Sequence, residues 1–194
     1  RDASGKMMLW VRPLDAVEAQ PLPGTEQASI SSPPFWSPDG RSLAFFASGK
    51  LKKIELDSGT PQTICNAVNG RGGTWNRDGV ILFQPALDDT LHRVSAAGGA
   101  TSPLPLANPF DQISTYRWPQ FLPDGRRFLC YHPGGQNSGI YAGSLDSREL
   151  KLVLKTNSNA VYTSTGHLVF WREGALLAQP FDAAKQELTG EPVP

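Results

Sequence analysis

The sequence lacks the features that mark several common classes of protein. Its 18 basic and 18 acidic side chains cancel, so no excess positive charge favours nucleic acid or an anionic membrane surface. No apolar run approaches the ~20 residues that span a bilayer, and no secretory leader is present. We therefore expect no nucleic-acid partner and no membrane insertion by this segment. The chain begins with Arg1 rather than Met, and we expect it to be a fragment of a longer protein.

Catalytic signatures are missing as well. The chain contains no G-x-S-x-G nucleophile elbow, no glycine-rich phosphate loop on a strand, and neither the His-Arg-Asp nor the Asp-Phe-Gly motif of protein kinases. The segment Gly70-Arg71-Gly72-Gly73 lacks the spacing and the Lys-Ser/Thr pair of a P-loop. The sequence therefore predicts neither catalytic residues nor a cofactor.

What the sequence does contain is a recurring turn. Trp36-Ser37-Pro38-Asp39-Gly40 returns in altered form, ending at Gly79, Gly125 and Gly166. The steps of about 40–50 residues between these glycines are the period of a β-propeller blade, which has four strands. The 19 glycines and 17 prolines fit many short strands joined by tight turns. We predict an all-β propeller of four-stranded antiparallel blades.

The units can be delimited along the chain. Residues 1–26 match the second half of a blade, and whole blades are predicted over 27–66, 67–106, 107–155 and 156–194. About four and a half blades would leave apolar faces uncovered at both ends of the array. We therefore expect a parent propeller of six or more blades, and self-association of this fragment through its end blades.

The turn residues have a structural interpretation. Asp39, Asp78 and Asp124 are predicted to cap their turns, and the glycines to accept positive φ. Thr165 takes the aspartate position in the fourth copy, where a weaker side-chain bond would serve. Because these carboxylates belong to different blades, they cannot converge on one ion, and we predict no metal site.

Two cysteines, Cys65 and Cys130, fall in different blades at non-equivalent positions. They have no CxxC spacing and no nearby histidine, which argues against a metal pair. We expect two buried or half-buried free thiols rather than a disulfide.

The turn followed by Arg41-Ser42-Leu43-Ala44-Phe45 resembles the TolB-type branch of the WD-repeat-like propellers over nearly the whole chain. A narrower resemblance is to the C-terminal propeller of bacterial transmembrane serine/threonine protein kinases. It is carried by the segments 9–14, 35–41, 49–54, 70–79, 117–125 and 178–182, for example Arg117-Trp118-Pro119-Gln120-Phe121-Leu122-Pro123-Asp124-Gly125. This resemblance implies an extracytoplasmic sensory or docking module without kinase chemistry of its own.

A binding site in a propeller is expected at one mouth of the central channel, where the connections from one blade to the next lie. These connections are predicted over 27–32, 66–73, 106–115 and 155–159. The polar side chains in or next to these connections that we predict to contact a protein, a peptide or a small solute are Arg71, Asp111, Gln112, Arg117, Asn157 and Asn159.

The sequence thus favours a non-catalytic sensor or protein-interaction propeller, part of a receptor-type serine/threonine kinase. Two alternatives remain open at this stage. One is the substrate-gating propeller of a prolyl-oligopeptidase-like serine peptidase, and the other is a free TolB-type periplasmic scaffold.

Overall fold

A computed structural model describes residues 7–57, 59–107 and 115–194. In these residues the chain is almost entirely β, and its strands form a two-stranded sheet and four four-stranded antiparallel sheets. This architecture confirms the predicted β-propeller. Each sheet is one blade, because the strands follow each other in chain order from the inner strand to the outer strand.

The strands divide among the blades as follows. The half blade contains β1 (Trp10–Val11) and β2 (Gln20–Pro21). The first blade contains β3 (Phe35–Trp36), β4 (Ser42–Ala47), β5 (Lys50–Glu55) and β6 (Gln62–Asn66). The second blade contains β7 (Gly73–Trp75), β8 (Val80–Phe83), β9 (His92–Ser95) and β10 (Ser102–Pro103). The third blade contains β11 (Arg117–Phe121), β12 (Arg127–His132), β13 (Gly139–Ser144) and β14 (Lys151–Lys155). The fourth blade contains β15 (Ala160–Thr163), β16 (His167–Arg172), β17 (Ala175–Asp182) and β18 (Glu187–Leu188). A single 3-10 turn, Gly135–Asn137, lies between β12 and β13.

Several outer strands are shorter than the apolar pattern indicates. The pattern predicts strand from Thr101 to Leu104, yet only Ser102–Pro103 pairs with β9. In the fourth blade the predicted strand 187–193 pairs only over Glu187–Leu188, and Val193 then forms an isolated bridge to Ala178. Proline accounts for this shortening, because residues 103, 105 and 192 are prolines without an N–H to donate to a neighbouring strand.

The core lies between blades. Leu22 packs with Phe45 and Ile54 between the half blade and the first blade. Three further clusters fill the successive junctions, centred on Phe46 and Phe83, on Leu82 and Phe128, and on Leu129 and Phe170. The second strands of the first three blades are therefore buried on both faces, as β4 shows with five consecutive buried residues.

The inner turns follow the predicted chemistry in two blades and depart from it in one. The Asp39 carboxylate accepts from the backbone N–H of Arg41 at 3.0 Å, and Asp124 accepts from those of Arg126 and Arg127 at 2.9 and 2.8 Å. The hydrogen bond from the Ser37 hydroxyl, followed by that from Arg41, lowers the pKa of Asp39. The prediction that Asp78 caps its turn is wrong.

In the second blade Asn76 caps the turn instead. Its side-chain oxygen accepts from the N–H groups of Asp78 and Val80 at 3.1 and 2.9 Å. The asparagine occupies the position of Ser37 in the first blade, so the acceptor has moved to the start of the turn. In the fourth turn the Thr165 hydroxyl bonds the Thr163 hydroxyl at 2.8 Å. The four glycines that end these turns have φ between 71° and 78°, as predicted.

Single side chains link the inner strands of neighbouring blades. Between the second and third blades, the Thr74 hydroxyl accepts from the N–H of Phe121 at 3.1 Å. The Asn76 amide donates to the carbonyl of Gly125 at 2.8 Å. Gln120 of β11 binds Tyr162 of β15 twice: its amide donates to the carbonyl at 2.9 Å and its oxygen accepts from the N–H at 2.8 Å.

One face of the fourth blade is uncovered. Strand register places Val161, Val169, Trp171, Leu176 and Ala178 on this face. The exposed fractions of Val161, Trp171 and Leu176 are 51%, 56% and 59%. The opposite face, with Leu168 and Phe170, packs against the third blade.

Both cysteines are free and buried, as expected. Burial raises the pKa of the Cys65 thiol to about 11, and it raises that of Cys130 further. Neither thiol therefore carries nucleophilic thiolate at neutral pH. No helix in the described part of the chain is long and apolar enough to cross a bilayer.

Candidate recognition site at the loop end of the channel

The blade topology assigns each connection to one end of the channel. In an antiparallel four-stranded blade, the turn after the inner strand lies at one end. The connection between the second and third strands, and the link to the next blade, lie at the other end. We call the latter the loop end and the former the turn end. The links 67–72 and 156–159 belong to the loop end, with the described parts of the link between β10 and β11.

Arg71 and Arg117 lie side by side at the loop end. Arg71 closes the link that precedes β7, and Arg117 begins β11 on the next blade. The carbonyl of Arg71 accepts from the N–H of Trp118 at 2.8 Å, so the two backbones are in direct contact. Both arginines are partly exposed.

The two guanidinium groups share an unusual property. The Nε atom of each is buried and has no hydrogen-bond partner among the described residues. Leaving a buried donor unsatisfied costs about 1–3 kcal/mol. Two such donors on adjacent blades make this place a candidate for binding a hydrogen-bond acceptor.

Gly72 lets the second and third blades approach closely. Its φ is +87°, and a Cβ at this position would lie 2.7 Å from the Trp118 ring and 2.8 Å from the Trp118 Cα. The N–H of Gly72 donates to the Ser32 hydroxyl of the link before β3 at 2.7 Å. Three blades are therefore joined at the point from which Arg71 and Arg117 extend.

A bulge lies next to Arg117. The pairing of β11 with β12 shifts register between Arg117 and Gln120, and Trp118 has a φ of +48°. The Trp118 ring stacks on Tyr131, with centroids 5.7 Å apart and an angle of 15° between the planes. Bulges are common next to binding sites, so this irregularity supports Arg117 as a candidate site residue.

A groove lies further round the loop end, between the third and fourth blades. It encloses about 450 Å³ and is lined by residues 135, 138, 155–158 and 171–173. Asn157, Lys155 and Glu173 supply amide and charged groups of both signs. The Ser158 hydroxyl donates to the Trp171 carbonyl at 2.7 Å, which fixes one wall. The Arg172 guanidinium lies 5.0 Å from the centroid of the Phe170 ring.

The predicted site residues are distributed over this end in three ways. The structure brings Arg71 and Arg117 together, and it places Asn157 in the groove. Asn159 precedes β15 and does not line the groove; its carbonyl accepts from the Ser158 hydroxyl at 3.2 Å. Asp111 and Gln112 lie outside the described residues.

The sequence did not predict that Ser32 and Trp118 contact Gly72 next to Arg71. One signal was available for Ser32. The position eight residues before each turn glycine holds Ser32, Arg71, Arg117 and Ser158. Each of these residues lies at the loop end, so aligning the four units would have singled out this position. Trp118 carried no such signal, because its bulge has no counterpart in the other units.

The described residues contain no group of three or more histidine, cysteine, aspartate or glutamate side chains that could hold a metal ion. The described side chains at the loop end offer hydrogen bonding and charge pairing by arginine, lysine, asparagine and glutamate.

Neither a protein-family model nor a curated protein sequence matches the chain. Several solved structures do match the chain. TolB from Acinetobacter baumannii matches with a TM-score of 0.71 and 15% identity, over 96% of this chain and 50% of TolB. A chain of the nidogen/laminin complex matches with a TM-score of 0.68 and 14% identity, over 86% of this chain and 65% of that one. Puromycin hydrolase matches with a TM-score of 0.61 and 17% identity, over 89% of this chain and 30% of the hydrolase. The chain thus spans half the length of the TolB structure, and these likenesses establish the propeller fold.

Proposed function

We propose that this chain is a non-catalytic recognition propeller that binds a protein, a peptide or a small solute at its loop end. The observation that carries the proposal is the pair of unsatisfied arginines on adjacent blades, at the same end as the polar groove around Asn157. Hydrogen-bond donors that a rigid fold already holds in place bind a ligand at a low entropic cost, because little further ordering of the side chains is needed. The balanced net charge argues against nucleic acid as that ligand.

A binding selection tests this function directly. A random peptide library would be selected on the purified chain, and the bound peptides would be mapped by amide chemical-shift changes. We expect the shifts to cluster at the loop end, in residues 67–72, 115–118 and 155–158. Shifts confined to the turn end around Gly40, Gly79 and Gly125 would contradict the proposal, and no selected peptide at all would count against a peptide as the ligand.

For the parent protein, we infer the C-terminal sensor region of a bacterial receptor-type serine/threonine kinase, on the extracytoplasmic side of the membrane. The support is the resemblance of segments such as 70–79 and 117–125 to the propellers of those kinases. The coding sequence on either side of this segment tests the inference. A kinase domain and one apolar span upstream are expected.

The same sequence read distinguishes the alternatives. A G-x-S-x-G motif downstream would instead assign the chain to a gating propeller, the kind of role the likeness to puromycin hydrolase allows. A signal peptide with a small N-terminal α/β domain would assign it to a TolB-type scaffold. Either finding overturns the kinase parent while leaving recognition at the loop end to be tested separately.

A further inference from the structure

Arg71 and Arg117 are the arginines whose Nε atoms are buried without an acceptor among the described residues. Several exposed arginines do have an acceptor: Nε of Arg93 bonds the Ser102 hydroxyl, Nε of Arg126 bonds Asp146, and Nε of Arg148 bonds the Pro105 carbonyl. At Arg71 and Arg117, where Nε is buried and the need is greater, neither side chain forms a hydrogen bond or ion pair with a described residue.

Arg71 and Arg117 also lie next to each other at the loop end. The hydrogen bond from the Trp118 N–H to the Arg71 carbonyl, and the close approach of Gly72 to Trp118, hold the two residues next to each other. Both side chains carry a positive charge, so an anion bound between the two residues would be attracted by both. Its oxygens would also offer acceptors to the two Nε donors.

The backbone around the pair indicates which anion fits. The N–H groups nearby are already used: Arg71 donates to the Gln84 carbonyl at 3.2 Å, Gly72 to Ser32, and Trp118 to Arg71. No nest of free N–H groups is therefore left at these residues, and such a nest is what commonly cradles phosphate. What remains is two planar guanidinium forks, whose geometry matches the two oxygens of a carboxylate.

We propose that Arg71 and Arg117 form a carboxylate-binding site at the loop end of the channel. The assignment rests on the proposed recognition function, since it names the chemical group that this surface binds. Either the carboxylate of a peptide or that of a small organic acid supplies this chemistry. Trp118 holds the site's geometry through its contact with Gly72 and its stacking on Tyr131.

The experiment observes the Nε–Hε groups of Arg71 and Arg117 directly. The whole chain would be labelled with ¹⁵N-arginine, and the Nε–Hε signals would be recorded while sodium succinate replaces sodium chloride at constant ionic strength. We expect the signals of Arg71 and Arg117 to move downfield together, with one dissociation constant. Arg77 serves as the control, because it lies exposed in the inner turn at the opposite end of β7, and its signal should not move.

Two further titrations identify the source of the carboxylate. Acetyl-triglycine with a free carboxyl terminus is compared with the same peptide as its amide. Binding of the free acid but not the amide, tighter than succinate, identifies a peptide terminus. Tighter binding of succinate identifies a small organic acid. Signals of Arg71 and Arg117 that stay fixed with all three probes overturn the proposal, as does a response to inorganic phosphate without one to carboxylates.

Lysine variants distinguish the contribution of the planar guanidinium group from that of the positive charge. Arg71→Lys and Arg117→Lys keep the charge but lose the planar fork, and each should weaken succinate binding by about tenfold or more. Arg77→Lys should leave it unchanged. An equal loss in all three variants, or none in the first two, would refute the site. If the lysine variants fail to fold, the titration of the unaltered chain still decides.

The test of the carboxylate site can succeed or fail independently of the test of the recognition function. Peptides that select to the loop end and bind Arg71→Lys and Arg117→Lys as well as the unaltered chain would leave recognition intact and overturn the carboxylate site. Succinate binding at the two arginines without any selected peptide would support the site and count against peptide recognition.

Discussion

Replacing Gln120 with alanine should loosen the third blade from the fourth. The Gln120 amide forms two hydrogen bonds with the backbone of Tyr162, at 2.9 and 2.8 Å. Each bond contributes about 0.5–1.5 kcal/mol net. Gln120→Ala should therefore lower the free energy of unfolding by about 1–3 kcal/mol. The loss should appear first at the fourth blade, because its other face is uncovered and only the third blade supports it.

Two measurements check this expectation. Urea unfolding followed by tryptophan fluorescence gives the free energy, and amide hydrogen exchange gives the location. Exchange should accelerate in β15 and remain unchanged in the first blade. Thr74→Val is the matched control, since it removes a single bond of 3.1 Å between the second and third blades. Its cost should be about half that of Gln120→Ala.

The reasoning would be refuted by a Gln120→Ala protein whose unfolding free energy and Tyr162 amide protection match those of the unaltered chain. In that case the apolar cluster around Leu129 and Phe170 would by itself hold the two blades together, and the polar link would contribute only orientation.

Three other outcomes are expected. Gly72→Ala should destabilise the chain well beyond Gly79→Ala in urea unfolding: both have positive φ, which costs about 1–2 kcal/mol, but only a Cβ at residue 72 meets Trp118. Similar losses would contradict the close approach. Because the pKa of Asp39 is lowered in the folded chain, its contribution to stability is present above about pH 4 and is lost as the pH falls through the folded value. Asp39→Asn should therefore flatten the acid limb of a stability–pH profile, and an unchanged limb would exclude the contribution. We propose that the uncovered face of the fourth blade causes self-association, which Trp171→Glu should abolish in sedimentation velocity at high concentration; a clean monomer before the substitution would refute this.

The repeat predicted the architecture because the same physical demands recur in every blade. The recurring turn located Gly40, Gly79, Gly125 and Gly166, all of which have the positive φ that a tight turn requires. Strand ends were less predictable where prolines interrupt pairing, as at Ser102–Pro103. Asp78 was predicted to cap its turn because aspartates in the other copies do so. Asn76 displaced it, because an asparagine at the start of the turn reaches the N–H of Val80, the counterpart of the Arg41 N–H that Asp39 binds.

The candidate site was predictable only in part. Topology indicated which links meet at the loop end, and that was enough to select Arg71, Arg117 and Asn157. The bulge at Trp118 was not predictable, because a positive φ at a tryptophan is rarely adopted and no sequence pattern marks it. The burial of the two Nε atoms has no sequence signal either, so it emerged only in three dimensions.

The links between inner strands also bear on how the chain avoids errors while folding. Blades with similar turns and similar apolar strands can stack on the wrong neighbour, including one from another molecule. Here each junction uses different chemistry: a serine hydroxyl at Gly72, a threonine hydroxyl at Phe121, and a glutamine amide at Tyr162. A blade docked out of order would bury backbone N–H groups without these acceptors, which costs about 1–3 kcal/mol for each unsatisfied donor. We therefore expect Ser32, Thr74 and Gln120, which the repeat does not share, to favour the native order of the blades.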